Sequence, residues 1–285
     1  MVSVRTAISH SRDTAPEGPD GMTVAVGRRP PTDPLYPEPS GNRGWIAEQP
    51  LPWLGPGRRR RSDRQLPALV AEGVISQDAA ALLTVLLGHR ASVLVIADRS
   101  SVGKTTLLEA LLRCYPQRDR RVRLRGSFET FGWESDPRFR PDRAVLVAEE
   151  ISGHLPTYLW GPPVGRFLDW RAHGCALAAT AHSDSIEDVA RLFTGYPLRL
   201  PLASVAAFDV VLRLGPDRDG AAAPFALADI WSGSVTGGGG LVRSTLLDRD
   251  GLREDATAAV LDRLGYAGDV GTLLAACRSG LARTP

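Results

Sequence analysis

Lysine is almost absent from this chain. Of the 34 Lys and Arg residues among its 285, every one except Lys104 is arginine. Other scarcities exclude whole classes. The net charge is only +2, too small for nucleic-acid binding over the whole surface, so any basic partner face must be local. Cysteine occurs only as Cys114, Cys175 and Cys277, far apart and odd in number, which argues against a disulfide framework or a zinc-thiolate site and fits a reducing cytoplasm. Long apolar runs are missing too. The longest, Ala79 to Leu87, stops at His89 and Arg90, well short of the ~20 residues that cross a bilayer. The N-terminal stretch lacks the apolar centre of a secretory signal. No repeat of fixed period is evident. What remains is 43% hydrophobic and 23% charged, the composition of a folded, water-soluble protein.

The chain divides by pattern. Residues 1–62 are dense in proline, including Pro30, Pro31, Pro34, Pro37 and Pro39, and neither a helix nor an interior strand propagates through such density. This reads as a disordered arm. Its run Arg58–Arg61, with Arg64 beyond, is either a solvated linker or a contact for an acidic partner or anionic lipid. From residue 63 to about 215, helices alternate with short apolar strands. The helical stretch Leu66–Leu87 breaks at Gly73, and strands are expected at Ser92–Ala97, Val122–Leu124, Ala144–Ala148, Ala176–Ala181 and Phe208–Leu212. Such a pattern predicts an α/β core with a parallel sheet covered on both faces. Residues 216–285 read as a small accessory unit: a hairpin around Gly237–Gly240, then two helices at Arg253–Leu264 and Val270–Ala282.

The chemistry concentrates after the first strand. Asp98-Arg99-Ser100-Ser101-Val102-Gly103-Lys104-Thr105-Thr106 leads into a helix that Pro116 closes. A phosphate-binding P-loop needs this order: loop amides and a helix N-terminus surround phosphate, lysine adds a mobile point charge, and a hydroxyl reaches magnesium. Ser101, Val102, Gly103, Lys104, Thr105 and Thr106 are the candidate binding residues. The one lysine of the chain stands where a compact ammonium is not exchangeable for a planar guanidinium. Asp98 occupies a position where the motif calls for glycine.

The strand Ala144–Ala148 ends in Glu149 and Glu150, where acids hold magnesium and orient an attacking water. The segment Arg138-Phe139-Arg140-Pro141-Asp142-Arg143, the strand, and Glu150-Ile151-Ser152-Gly153 together resemble the Arg-Pro-Asp-Arg, apolar strand, Gly-Glu-x-Arg-Gly segment of the type II/IV secretion ATPases, in their tight-adherence pilus-assembly (CpaF-like) branch. His173-Gly174 and Ala179-Thr180-Ala181-His182-Ser183 resemble that family's Gly-His stretch and histidine box. The resemblance spans roughly residues 65–235 in a divergent, shortened form.

The resemblance implies a RecA-like P-loop NTPase using ATP and Mg2+. In it Glu150 is the catalytic glutamate, His182 faces the γ-phosphate, and Thr105 and Glu149 serve the metal. Glu129 stands at the end of the family's Asp box. It further implies inner-membrane secretion or pilus platform partners, a cytoplasmic location reaching the membrane only peripherally, and a possible homo-oligomer. Two other readings stand beside it: a non-hydrolysing scaffold that keeps the fold, favoured by Asp98 and the shortened middle, and a P-loop protein acting on nucleic acid, favoured only by the arginine excess. Nucleic acid is not the expected partner.

Overall fold

The computed structural model describes residues 64–216 and 225–281. The expected arm 1–62 and the Arg58–Arg61 run lie outside the described residues. The order is α1 (Leu66–Ala71), α2 (Gln77–Gly88), β1 (Val93–Ala97), α3 (Lys104–Leu111), β2 (Arg120–Arg123), β3 (Ala144–Ile151), α4 (Pro162–Asp169), β4 (Ala176–His182), α5 (Ile186–Thr194), β5 (Val210–Pro216), β6 (Phe225–Val235), β7 (Leu241–Asp248), β8 (Gly251–Leu252), α6 (Glu254–Arg263) and α7 (Val270–Leu281). Local chemistry explains several boundaries. Gly73, at φ 74°, makes the turn between α1 and α2, and the Ser76 hydroxyl caps α2 by accepting from the Ala79 amide at 3.1 Å. Pro162 starts α4, where its missing N–H costs nothing.

The strands form one sheet in the order β2-β3-β4-β1-β5-β6-β7-β8. The pairs β2–β3, β3–β4, β4–β1 and β1–β5 are parallel, and those from β5 to β8 are antiparallel. Successive residues of β1 serve opposite faces. Val93, Val95 and Ala97 join a core built with α1, α2, α3, α6 and α7, whereas Leu94 and Ile96 join a second core built with α4, α5, Phe131, Trp133 and Phe208. All five are fully buried, which is why the sequence shows a continuous apolar run rather than alternation. Asp209 locks β5 beside β1 by accepting from the Ser92 amide at 2.7 Å. No helix among the described residues is long and apolar enough to cross a membrane.

Two expectations change. Strand β3 does not stop at Ala148 but continues through Glu149, Glu150 and Ile151. The segment after 215 is not a separate accessory unit, because β6 pairs antiparallel with β5 and so extends the central sheet. The physical reason lies in the backbone groups of β5, which β6 pairs on the side away from β1, and in shared apolar surface. Leu246, Leu247, Val260, Leu261 and Leu274 belong to the same cluster as Leu82 and Leu86 of α2, and Arg278 of α7 reaches Asp78 of α2 at 2.7 Å. We therefore expect Leu246→Ala, at a site with no exposure, to lower the stability of the whole protein by about 3 kcal/mol in a single unfolding transition. A core melting unchanged, with a separate weakened transition, would contradict the continuous sheet.

Candidate functional site

Three neighbouring strand ends build the site. The register pairs Ala97, the last residue of β1, with His182, the last of β4. Strand β4 lies between β1 and β3, so the loop after β1 and the end of β3 stand two strand spacings apart, about 9.6 Å. The imidazole of His182 fills that interval. Its Nδ1 is 3.3 Å from Lys104 Nζ and its Nε2 is 3.1 Å from Glu150 Oε1.

Backbone geometry aims each group. Ser101 (φ 63°) and Gly103 (φ 97°) both adopt the left-handed region, turning the β1–α3 loop so that α3 begins at Lys104. An added Cβ at Gly103 would meet no atom within 4 Å, so the loop faces open space. Lys104 folds back over it, donating to the Arg99 carbonyl at 3.1 Å, and is only 5% exposed. Burial pulls the Lys104 ammonium below the ordinary lysine range, while the Glu150 and Asp98 carboxylates act in the opposite direction. In β3 the pairing with β4 shifts between Ala148 and Ile151, a bulge that places one extra residue at the two acids. The Thr180 hydroxyl pins it by donating to the Glu149 carbonyl at 2.6 Å. Glu150 is buried, and its Oε1 accepts no hydrogen bond despite its proximity to His182.

The sequence-derived candidates thus separate. Lys104, Glu150 and His182 meet. Ser101, Val102, Gly103 and Thr106 line an adjoining pocket of about 420 Å³ together with Leu69, Val74, Leu107 and Phe225, with Arg64 and Glu72 also on its wall. Thr105 is half-buried in the first turn of α3, and Glu149 is half-buried in the bulge. Glu129 is engaged elsewhere: its carboxylate accepts from the Arg125 amide at 2.8 Å and the Phe131 amide at 2.6 Å, which shapes the loop before β3. No hydrogen bond or ion pair among the described residues joins Glu129 to Lys104, Glu150 or His182. Asp98 is exposed and lines a second, more open pocket of about 480 Å³ with His182, Asp184, Asp188 and Arg191.

Sequence reading missed two parts of the site. The apolar pocket draws on α1, the turn after it, α3 and β6, which no local pattern connects. His154 carries no motif, yet its ring centre lies 5.8 Å from that of His182.

The fold and this cleft define a mixed α/β protein whose mainly parallel sheet delivers a lysine, a histidine and a glutamate from adjacent strand ends. No family model matches the chain, and no curated protein matches its sequence. Among solved structures it is similar to the VirB11 ATPase of the Brucella suis type IV secretion system, crystallised with sulphate. That match has 18% identity and a TM-score of 0.38, covering 59% of this chain and 56% of that one. It is also similar to the Legionella pneumophila ATPase DotB, at 14% identity and a TM-score of 0.30, covering 68% of this chain and 53% of that one. The chain thus spans somewhat more than half the length of these two structures.

Proposed function

We propose that this protein binds ATP with Mg2+ over the β1–α3 loop and hydrolyses it as a subunit of a type II/IV secretion or pilus-assembly motor. The observation that carries the reading is the convergence of Lys104, His182 and Glu150 at three adjacent strand ends. Ligands of open α/β sheets bind beyond such ends, and phosphoryl transfer needs positioned charge more than covalent chemistry.

The cradle fits a phosphate chain. The loop has two left-handed residues and open space at Gly103, and it leads into a helix N-terminus with lysine at its first position. Lys104 would leave the Arg99 carbonyl for the phosphates. The donor set for Mg2+ is oxygen, the Thr105 hydroxyl and the Glu149 carboxylate, as a hard cation prefers. When bound, the ion would neutralise phosphate charge. Glu150 would polarise the attacking water, and His182, between lysine and glutamate, would register the terminal phosphate. The neighbouring pocket of about 420 Å³, walled by Leu69, Val74, Leu107 and Phe225, suits an apolar base. Membrane platform proteins as partners, a peripheral cytoplasmic location and self-association belong to the same reading.

A second reading, a non-hydrolysing scaffold, has its own observation. An exposed carboxylate at Asp98 acts on Lys104, and a negative charge there opposes phosphate. Turnover of MgATP by the purified protein, compared with Lys104→Ala, separates the two. Turnover lost in the variant supports the motor, and no turnover in the unmodified protein supports the scaffold.

A further inference from the structure

Glu150, His182 and His154 form a cluster that ATP chemistry alone does not call for. One ligand-type atom from each lies within 4.8 Å of the other two. We propose that these side chains bind one transition-metal cation of the Zn2+ class, at a site distinct from the Mg2+ position at Thr105 and Glu149. The site stands on the three side chains and not on the nucleotide reading.

Three observations carry it. First, Glu150 Oε1 is buried without a hydrogen-bond donor, on a side chain only 9% exposed, and an orphaned carboxylate oxygen in such a place calls for a cation. Second, the spacing suits coordination. Tetrahedral ligands at 2.0–2.2 Å from zinc stand about 3.4 Å apart, and Glu150 Oε1 and His182 Nε2 are 3.1 Å apart. His154, within 4.8 Å of both, needs to close by at most about 1.4 Å to complete the other two edges.

Third, His154 is held there rather than left on a free loop. The excursion from Ser152 to Leu159 is closed at its base, where the Leu159 amide donates to the Glu150 carbonyl at 2.8 Å and the Ser152 amide donates to the Leu159 carbonyl at 3.2 Å. The His154 amide donates to the Ser152 hydroxyl oxygen at 3.2 Å. Across its middle, the Ser127 amide donates to the Pro156 carbonyl and the Ser127 hydroxyl donates to the Tyr158 carbonyl, each at 3.1 Å. Only glycine fits at 126, because a Cβ would lie 2.3 Å from the Thr157 backbone. The loop is thus stitched on both sides and presents His154 toward His182.

Two imidazole nitrogens and one carboxylate select a borderline cation over Mg2+, which prefers oxygen throughout, and a water from the open pocket that His182 lines would supply the fourth ligand. Lys104 opposes the cation. Its ammonium lies 3.3 Å from the far nitrogen of the same His182 ring, so the site gains affinity when that charge is removed.

The test is a titration of the chelator-treated full chain with Co2+, a spectroscopic stand-in for Zn2+. The expected result is one Co2+ per chain with the intense visible absorption of a four-coordinate ion, displaced by Zn2+. His154→Ala, at an exposed residue, keeps the melting temperature and weakens binding at least about tenfold, as even outer-shell changes do at metal sites. Glu150→Gln weakens it as well, and Lys104→Met strengthens it. Affinity unchanged by His154→Ala, the faint spectrum of six-coordinate Co2+, or a thiolate charge-transfer band from a cysteine would each overturn the proposal. None of these readouts involves nucleotide, so the outcome is independent of whether ATP is hydrolysed.

Discussion

Lys104→Met is expected to abolish stabilisation by MgATP while leaving the nucleotide-free protein as stable as before, or more so. A ligand at a hundred times its dissociation constant raises the stability of a protein that binds it by about 2.7 kcal/mol, and the variant should show none of this. Lys104 is 5% exposed, and burial lowers its pKa from 10.5 even with Glu150 and Asp98 nearby, so the folded protein carries a penalty for holding the ammonium. Methionine keeps the aliphatic stem and removes the charge.

Because the folded pKa lies below the unfolded value, the penalty is fully present below the folded pKa and fades as pH rises toward 10.5. Wild-type stability should therefore rise relative to the variant across that alkaline interval. Thermal melts with and without MgATP, at neutral and alkaline pH, check both halves. Equal stabilisation of both proteins by MgATP would remove Lys104 from the phosphate site.

Glu150→Gln is expected to lower ATP turnover by about 10²–10⁴-fold, the usual contribution of a positioned base, with MgATP binding retained. The amide keeps the shape of the side chain beside His182 and loses the charge that polarises water. Glu149→Gln should be milder, since Glu149 is assigned only to the metal environment. The bulge makes the comparison informative, because adjacent residues at a register shift are not constrained to simple alternation. Single-turnover hydrolysis together with nucleotide-induced melting shifts decides the assignment. Loss of turnover at Glu149 with survival at Glu150 would exchange the two roles.

The elements of the core were legible wherever the signal was local. Strands β1, β4 and β5 are apolar runs bounded by turn chemistry, and α1 and α2 divide at Gly73 as its left-handed φ requires. Boundaries were less so. Glu149 and Glu150 read as the end of a strand because acids disfavour strand interiors, yet pairing with β4 and the Thr180 hydroxyl carries β3 on to Ile151. The hairpin after residue 225 was visible as a hairpin, but its attachment to β5 was not. An antiparallel pairing such as that of β6 with β5 leaves no periodic trace in either strand.

By itself, the sequence determined what depends on contiguous residues: the order of strand, loop and helix around the chain's one lysine, the apolar character of the parallel strands, and the two acids that come directly after the apolar run Ala144–Ala148. Only the tertiary structure decided which strand lies between β1 and β3, and hence that His182 spans the gap from Lys104 to Glu150. It alone brought His154 beside them and merged the C-terminal hairpin with the core. The physical reason is that strand order and register are settled by side chains packing on both faces of the sheet at once. That energy belongs to pairs of residues distant along the chain, which no local window of sequence records.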